Sequence, residues 1–244
     1  FPTRRSSDLL QLIAQDLSYY GLDLYKEKKL AELVTRLSEI EGIEWIRLHY
    51  AYPAGFPMDV LEVMANNPKV CKYLDIALQH ISDPMLKLMR RNVTKKETIE
   101  LIEYMRKVVP GIHLRTTMIT GHPNETEADF AELLDFVEEM KFERLGVFTY
   151  SHEEDTHAFK NYKDNVPERI KQERADEIMV LQSNISLAHN KSKIGTRLKV
   201  IIDRKEDDYW IGRTEFDSPE VDPEVLISSK IDLEVGAFYN VQIT

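Results

Sequence analysis

Polar and aromatic residues follow each of five predicted strands of this 244-residue chain, at the point where the strand ends. These segments are 15–16, 50–53, 79–83, 120–125 and 150–154. In a parallel α/β barrel the carboxyl ends of the strands converge on one opening, so these segments are expected to meet there. Amide, hydroxyl and carboxylate groups around a glycine that lets the backbone approach suit a medium-sized polar ligand, such as a nucleoside with an amino-acid tail.

Arg115 lies within an otherwise apolar or hydroxyl-bearing strand, where an unpaired buried charge would be costly. Two interpretations are open: the side chain reaches a ligand carboxylate at the barrel mouth, or it pairs with an acidic neighbour. Cys71 precedes an apolar strand and is interpreted as a half-buried small hydrophobe, not a nucleophile. His152 and His157 have a spacing that matches no recognised set of metal ligands, so no metal site and no catalytic side chain is assigned.

A repeat of strand, turn and helix must position these side chains. The predicted strands are Leu9–Ala14, Trp45–Ala51, Tyr73–Leu78, Ile112–Ile119 and Arg144–Tyr150, whose starts lie 36, 28, 39 and 32 residues apart. This spacing is typical of βα units, whose crossover helices place parallel strands side by side.

Helix start signals lie between the predicted strands. Thr94 and Thr126 each precede an acidic residue by three positions, which is the capping-box pattern. Asp83 followed by Pro84 indicates an N-cap and a first helical residue. A longer helix is predicted over about 167–189.

The pattern divides the chain into three parts. Residues 1–8 have no apolar period and no initiator methionine, so they are interpreted as a non-native leader. The strand–helix repeat occupies 9–193, and 194–244 contains only short strands, which predicts a separate all-β module that is interpreted as truncated. Residues 196–244 contain six basic and eleven acidic residues, a net charge of 6 − 11 = −5.

Composition excludes several classes of protein. The formal net charge of −10 argues against tight nonspecific binding to nucleic acid. The single cysteine excludes a disulfide framework and any iron–sulfur or zinc site built from thiolates of this chain. No G-x-S-x-G, Walker A or G-x-G-x-x-G motif occurs. Because no membrane-length apolar run or leader peptide is recognisable, the expected location is the cytoplasm.

Four ordered motifs resemble those of the radical S-adenosylmethionine (SAM) methylthiotransferases, and the resemblance covers the chain from Leu9 to Thr244. The motifs are Leu12-Ile13-Ala14-Gln15-Asp16, Leu78-Gln79-His80-Ile81-Ser82-Asp83, Arg115-Thr116-Thr117-Met118-Ile119-Thr120-Gly121 and Phe148-Thr149-Tyr150-Ser151. The resemblance implies an α/β fold: a partial parallel (β/α) barrel of radical SAM type over 9–193, without the first strand and its cluster-binding loop. It also implies a small C-terminal all-β TRAM (OB-like) barrel over 194–244.

The same resemblance implies S-adenosylmethionine and 4Fe–4S clusters as cofactors, with the cluster cysteines absent from this chain. Carried over to this sequence, Gln15 and Asp16 meet the amino-acid end of the cofactor, Gln79, His80 and Ser82 contact ribose or substrate, Arg115 holds the cofactor carboxylate, and Gly121 lies against the adenine. Family members often have glycine where Asn124 stands, and proline or glycine at 152, 155 and 157. Asparagine tolerates the left-handed conformation, so the Asn124 loop can be preserved.

The resemblance favours the branch of the family that adds a methylthio group to the β-carbon of an aspartate in a small-subunit ribosomal protein. The rival branch modifies an adenosine in transfer RNA. An acidic module suits a basic ribosomal protein better than RNA, and Gln79-His80 stands where the transfer-RNA enzymes typically have Gln-Ser. A third interpretation is a catalytically inert docking fragment, because this chain lacks the cluster loop.

Overall fold

The larger part of the fold is a five-stranded parallel sheet with helices on one face. The computed structural model describes residues 8–218 and 221–244. The strands, in the order β1-β2-β3-β4-β5, are β1 Leu9–Ile13, β2 Trp45–Ala51, β3 Val70–Ile76, β4 His113–Thr120 and β5 Arg144–Thr149. The predicted parallel α/β core is therefore confirmed. Of the predicted leader, residues 1–7 lie outside the described residues, whereas the Asp8 carbonyl accepts hydrogen bonds from the backbone N–H groups of Glu44 and Trp45.

The helices begin largely where the sequence predicts. They are α1 Leu22–Tyr25, α2 Leu30–Ser38, α3 Asp59–Asn66, α4 Asp83–Leu88, α5 Lys95–Val108, α6 Glu127–Met140, α7 His157–Asn161 and α8 Glu168–Ser192. Both capping boxes are present, at Thr94 and at Thr126. The predicted cap of α4 is one residue off, because Ser82 is the N-cap and the Asp83 carboxylate instead accepts a hydrogen bond from the backbone N–H of Lys95 at 2.6 Å. No helix in the described part combines the length and hydrophobicity needed to cross a bilayer.

Alternation of side chains along the strands separates the two faces of the sheet. On one face, residues such as Leu48, Leu74, Leu114 and Met118 are buried with the apolar sides of the helices. We call the opposite face, which carries Trp45, Arg47, Tyr73 and Arg115, the inner face. Because apolar residues occupy every second position of these strands, one face of the sheet packs against the helices.

The C-terminal module is an antiparallel sheet in the order β8-β7-β6-β9. Its strands are β6 Arg197–Glu206, β7 Tyr209–Thr214, β8 Val225–Ile227 and β9 Phe238–Gln242. The short strands predicted for this part of the chain are present, and Val200, Ile202 and Trp210 form its core. The module thus has its own small hydrophobic cluster.

The C-terminal module covers the amino-terminal half of the inner face. Trp45, Cys71 and Tyr73 are buried against Ile201, and the rings of Trp45 and Phe238 meet edge to face at 4.7 Å.

The carboxyl-terminal half of the inner face lies beyond this contact and is open. Ile13 is 60% exposed and Phe148 is 66% exposed on that half. The carboxyl ends of the strands therefore border a surface that the module leaves accessible.

Candidate functional site

Three adjacent strands have a residue in the left-handed conformation at or just after their carboxyl ends. Tyr50 is the second-to-last residue of β2 and has φ 61°, Gln79 follows β3 with φ 74°, and Gly121 follows β4 with φ 76°. Such angles are uncommon for residues other than glycine and are concentrated at functional sites. The backbone of Gln79 is also tied to β4, because its N–H donates to Thr117 and its carbonyl accepts from Ile119. The chain therefore leaves these strands abruptly along one edge of the sheet.

A cavity of about 300 Å³ lies at this edge, between the ends of β3, β4 and β5. Its lining combines amide, imidazole, phenol and guanidinium groups with apolar side chains: Gln79, Leu88, Met89, Arg90, Arg91, Ile119, His122, Tyr150, Thr156, His157 and Ala158. We call it the strand-end pocket. A concave site with a few convergent polar groups and aromatic walls is typical of small-molecule binding.

Aromatic rings form one wall of the strand-end pocket. The rings of His122 and Tyr150 meet edge to face with centroids 5.0 Å apart, and the Tyr150 hydroxyl lies 2.9 Å from Nδ1 of His152. Burial lowers the pKa of His122, so this ring is neutral at neutral pH. Neutral flat rings beside an amide suit an aromatic base.

Glycine is required at position 121 by contacts with neighbouring residues as well as by the conformation of the turn. Its backbone N–H donates to Oε2 of Glu125 at 2.7 Å, and Glu125 is in turn bound by Arg174 of α8 at 2.8 Å. A Cβ atom at position 121 would overlap the side chain of Lys171, which is fully buried. Both the positive φ and this close approach therefore require glycine.

Gly121→Ala is expected to lower the free energy of unfolding by about 3 kcal/mol, because left-handed strain and overlap with Lys171 add together. Gly111→Ala is the matched control, since Gly111 has φ +80° and open space where the Cβ atom of an alanine would lie. We expect the control to cost about 1 kcal/mol. Equal losses for both variants in urea unfolding would show that the Lys171 contact is not important.

His80 and Ser82 lie behind the strand-end pocket and are fully buried. The Ser82 N–H donates to Nδ1 of His80 at 3.1 Å, and the Ser82 hydroxyl donates to Asp129. Nε2 of His80 lies 3.9 Å from Oε2 of Glu125, and burial lowers the pKa of His80 to about 4. These contacts brace the loop after β3 against the loop after β4.

Gln15 and Asp16 follow β1 at the far side of the sheet edge. Gln15 is exposed, whereas Asp16 accepts a hydrogen bond from the backbone N–H of Ser18 at 2.8 Å. Asp16 thereby caps the short 3-10 helix Leu17–Tyr19. The structure gives Asp16 a local structural contact, and its contact with a cofactor stays a prediction.

Arg115 lies near the start of β4, away from the strand-end pocket. Its Nη1 donates to Oδ1 of Asp222 in the C-terminal module at 2.6 Å, and its Nε lies 3.9 Å from Oδ2 of Asp75. Of the two interpretations left open by the sequence, the acidic neighbour is therefore present. The contact of Arg115 with a cofactor carboxylate stays a prediction.

The predicted residues thus fall into three places. Gln79 lines the strand-end pocket and Gly121 adjoins it. His80 and Ser82 lie behind the pocket and support it. The remaining three, Gln15, Asp16 and Arg115, lie away from it. His122 and Tyr150 also line the pocket, and although both belong to strand-end segments predicted to meet there, neither was assigned a role in binding. Their signal was an aromatic or imidazole ring within two residues of a strand end, which alone does not distinguish a pocket wall from a solvated loop.

The groups that commonly bind metals can be compared within the part of the chain that the structure describes. Cys71 is its single cysteine, and burial raises the pKa of the thiol to about 12. The described residues contain no group of three or more His, Cys, Asp or Glu side chains placed to hold a metal ion. His157 instead contacts Asn161 and Tyr162.

Two family models match the chain. The model of the radical SAM superfamily matches residues 16–137, which is half of the chain. The TRAM domain model matches residues 194–244. The first match includes β2, β3 and β4 of the parallel sheet, and the second covers the C-terminal module.

Curated relatives match nearly the whole chain. It is 64% identical over 236 residues to the ribosomal protein uS12 methylthiotransferase RimO of Porphyromonas gingivalis, covering 96% of this chain and 54% of that protein. The protein of the same name from Bacteroides thetaiotaomicron is 62% identical over 235 residues, with 96% and 54% covered. The chain therefore spans about half the length of the curated relatives it matches.

Solved structures match in fold at low sequence identity. Coproporphyrinogen III oxidase (HemN) from Escherichia coli, a radical SAM enzyme, has a TM-score of 0.53 at 17% identity, covering 76% of this chain and 49% of that chain. Elp3 of the archaeon Methanocaldococcus infernus has a TM-score of 0.50 at 12% identity, with 72% and 45% covered. At such identities the similarity concerns the fold alone.

Proposed function

Because this chain belongs to the radical SAM superfamily, we propose that it is the cofactor-binding and C-terminal part of a methylthiotransferase that modifies an aspartate of ribosomal protein uS12. The observation that carries the proposal is that high identity to enzymes of that name extends across both the parallel sheet and the C-terminal module. The size and the polar and aromatic lining of the strand-end pocket support a nucleoside cofactor.

Membership of the superfamily implies S-adenosylmethionine and a 4Fe–4S cluster. The cluster does not fit the residues of this chain, because one buried thiol cannot replace three cysteines. The nucleoside fits the strand-end pocket, whose amide and neutral rings match ribose hydroxyls and an aromatic base. When bound, S-adenosylmethionine supplies the methyl group and the radical chemistry of the family.

The side chains of this chain would then bind and orient the cofactor. We place the adenine between Gly121 and the rings of His122 and Tyr150, and the ribose beside Gln79. His80 and Ser82 hold the two loops at a fixed separation. Such a rigid, partly apolar pocket excludes water from the reacting groups.

At the other end of the proposed cofactor site we place the amino-acid tail. Gln15 and Asp16 would lie beside it, and Arg115 would bind its carboxylate through a charge-assisted hydrogen bond. Arg115 lies four residues before Ile119 on the same strand face, about 13 Å away at the rise of a strand. That separation matches an extended nucleoside with an amino-acid tail.

The substrate we propose is a basic ribosomal protein, which would also place the enzyme in the cytoplasm. The C-terminal module has a net charge of −5 over 196–244 and so favours a cationic partner. Two of its carboxylates, Asp217 and Asp222, are buried against arginines and do not face a partner. The exposed hairpin residues Asp207 and Asp208 remain available.

The competing function is methylthiolation of adenosine in transfer RNA by the same fold. The negative charge of the module disfavours it, because RNA binding gains from cationic contacts with phosphates. An inert docking role for this chain by itself is compatible with its single cysteine.

The test uses a chain extended upstream to include the cluster-binding segment and reconstituted with iron, sulfide and S-adenosylmethionine. We expect mass spectrometry to find the methylthio group on an aspartate of uS12 and unmodified transfer RNA in a parallel reaction. The 244-residue chain alone is the matched control and should modify neither. A methylthio group on transfer RNA with unmodified uS12 would contradict the proposal.

A further inference from the structure

Residues 214–218 and Asp222, at and after the end of β7, form a segment that lies against the inner face of the parallel sheet. Arg47 of β2 donates hydrogen bonds to the backbone carbonyls of Thr214, Glu215 and Asp217 in this segment. His113 of β4 stacks on Phe216 with ring centroids 3.8 Å apart. The module is therefore fixed against the strands that lead to the strand-end pocket.

Asp222 at the end of this segment is held by several donors. Its Oδ2 accepts a hydrogen bond from the backbone N–H of Ser218 at 2.8 Å, and its Oδ1 accepts from Nη1 of Arg115 at 2.6 Å. Nε of Arg144 lies 3.7 Å from the same Oδ1. The Asp222 side chain is only 3% exposed, so it cannot turn to water instead. A carboxylate fixed in this way fixes the guanidinium that it binds.

The side chain of Arg115 stays partly exposed although Asp222 binds one of its nitrogens. Its side chain is 21% exposed, and Thr117 and Ile119 continue the same face toward the strand-end pocket. A guanidinium has five N–H donors, and Asp222 takes one of its nitrogens. The remaining donors can bind a second carboxylate.

The other acidic group near Arg115 is Asp75 of β3. Its Oδ2 lies 3.9 Å from Nε of Arg115, which is beyond hydrogen-bond distance. Burial raises the pKa of Asp75 to about 6, so this group loses its charge more readily than an exposed aspartate. Because Asp75 makes no hydrogen bond to Nε of Arg115, Asp222 is the carboxylate that holds this guanidinium.

We propose that Asp222 is a positioning residue: the C-terminal module uses it to orient Arg115 of the parallel sheet toward the carboxylate of the bound cofactor. This inference rests on the proposed function, because it assumes the nucleoside site. The module thus contributes to cofactor binding in addition to any contact with the substrate.

The test compares two nucleosides on the 244-residue chain by titration calorimetry. S-adenosylhomocysteine carries the amino-acid carboxylate, and 5′-methylthioadenosine lacks it. We expect Asp222→Asn to weaken the binding of S-adenosylhomocysteine roughly tenfold and to leave the affinity for 5′-methylthioadenosine unchanged. Asp222→Glu, which keeps the charge, should restore most of the loss. Glu224→Gln is the matched control, since Glu224 pairs with the exposed Arg204.

The two nucleosides separate a positioning role from a structural one. If Asp222→Asn weakens both ligands equally, or neither, while the unmodified chain binds both, the Asp222 proposal is overturned and the nucleoside site stands. If the unmodified chain binds neither ligand, the nucleoside site is wrong and the Asp222 proposal falls with it. Failure of Asp222→Glu to restore binding, with an unchanged unfolding temperature, would also count against positioning by charge.

Discussion

Arg47→Met is expected to lower the free energy of unfolding by about 3–5 kcal/mol, because Arg47 is fully buried and joins the two parts of the chain. Its guanidinium donates to the backbone carbonyls of Thr214, Glu215 and Asp217 at 3.1, 2.8 and 2.6 Å. Methionine fills similar volume but leaves these buried acceptors without their donor. The module should then unfold before the parallel sheet.

Two tryptophans make this change measurable. Trp45 lies at the contact between the parts and Trp210 lies in the core of the C-terminal module, so fluorescence reports the module and its contact. Far-ultraviolet circular dichroism is dominated by the helices of the larger part. We expect one coincident urea transition for the unmodified chain and an earlier fluorescence transition for Arg47→Met.

Lys199→Met provides the matched control for Arg47. Lys199 also joins the two parts, through Glu44 at 2.7 Å, but its side chain is 40% exposed. Exposed ion pairs contribute little to the free energy of unfolding, so Lys199→Met should lower it by less than about 1 kcal/mol. A similar loss for both variants would mean that the buried carbonyl contacts do not hold the module in place.

The second large effect is a loss of stability in mild acid. Burial lowers the pKa of His49 and His80 to about 4 and that of His113 to about 3. Between pH 6.5 and 4 the unfolded chain takes up protons on these histidines and the folded chain does not, so the free energy of unfolding falls as the pH falls. Each histidine contributes roughly 1.4 kcal/mol per pH unit in this window.

Asp75 acts in the opposite direction over part of the same window. Its folded-state pKa of about 6 is above its ordinary value, so lowering the pH from 6 to 4 favours the folded state. The resulting gain in the free energy of unfolding offsets the loss caused by about one of the three histidines. The net loss of stability between pH 6.5 and 4 is therefore expected to be on the order of 5 kcal/mol.

Urea unfolding at a series of pH values checks this prediction, with His80→Asn as the diagnostic variant. Its side-chain oxygen can still accept the hydrogen bond from the Ser82 N–H, while the titrating group is gone. The slope of stability against pH should decrease by about 1.4 kcal/mol per unit. An unchanged slope for His80→Asn, compared with the unmodified chain, would show that His80 does not contribute.

The parallel core was predictable because short sequence patterns mark its individual strands and helices. Each strand of the sheet is a short apolar or β-rich run, and capping boxes at Thr94 and Thr126 mark the helices between them. The alternation of strand and helix then permits little besides a parallel sheet. The position of Gln79 at the pocket follows from the same rule, since it lies just after a strand.

The partners of buried polar groups were not predictable from the sequence. Arg115 pairs with a residue 107 positions away, and Arg47 binds carbonyls about 170 positions away. His80 looks like a pocket residue when read as part of a strand end, yet it is buried behind the loop. Nothing in the local pattern distinguishes a side chain that faces a ligand from one that braces the backbone.

The sequence by itself predicted the order of strands and helices, an acidic all-β module near the C-terminal end and the edge of the sheet at which the strand-end pocket lies. The tertiary structure decided which polar residues line the strand-end pocket, and it placed the module on the inner face. The physical reason is range: hydrophobic periodicity and capping act within a few residues of the chain, whereas buried charges are paired across the fold by the packing of distant segments.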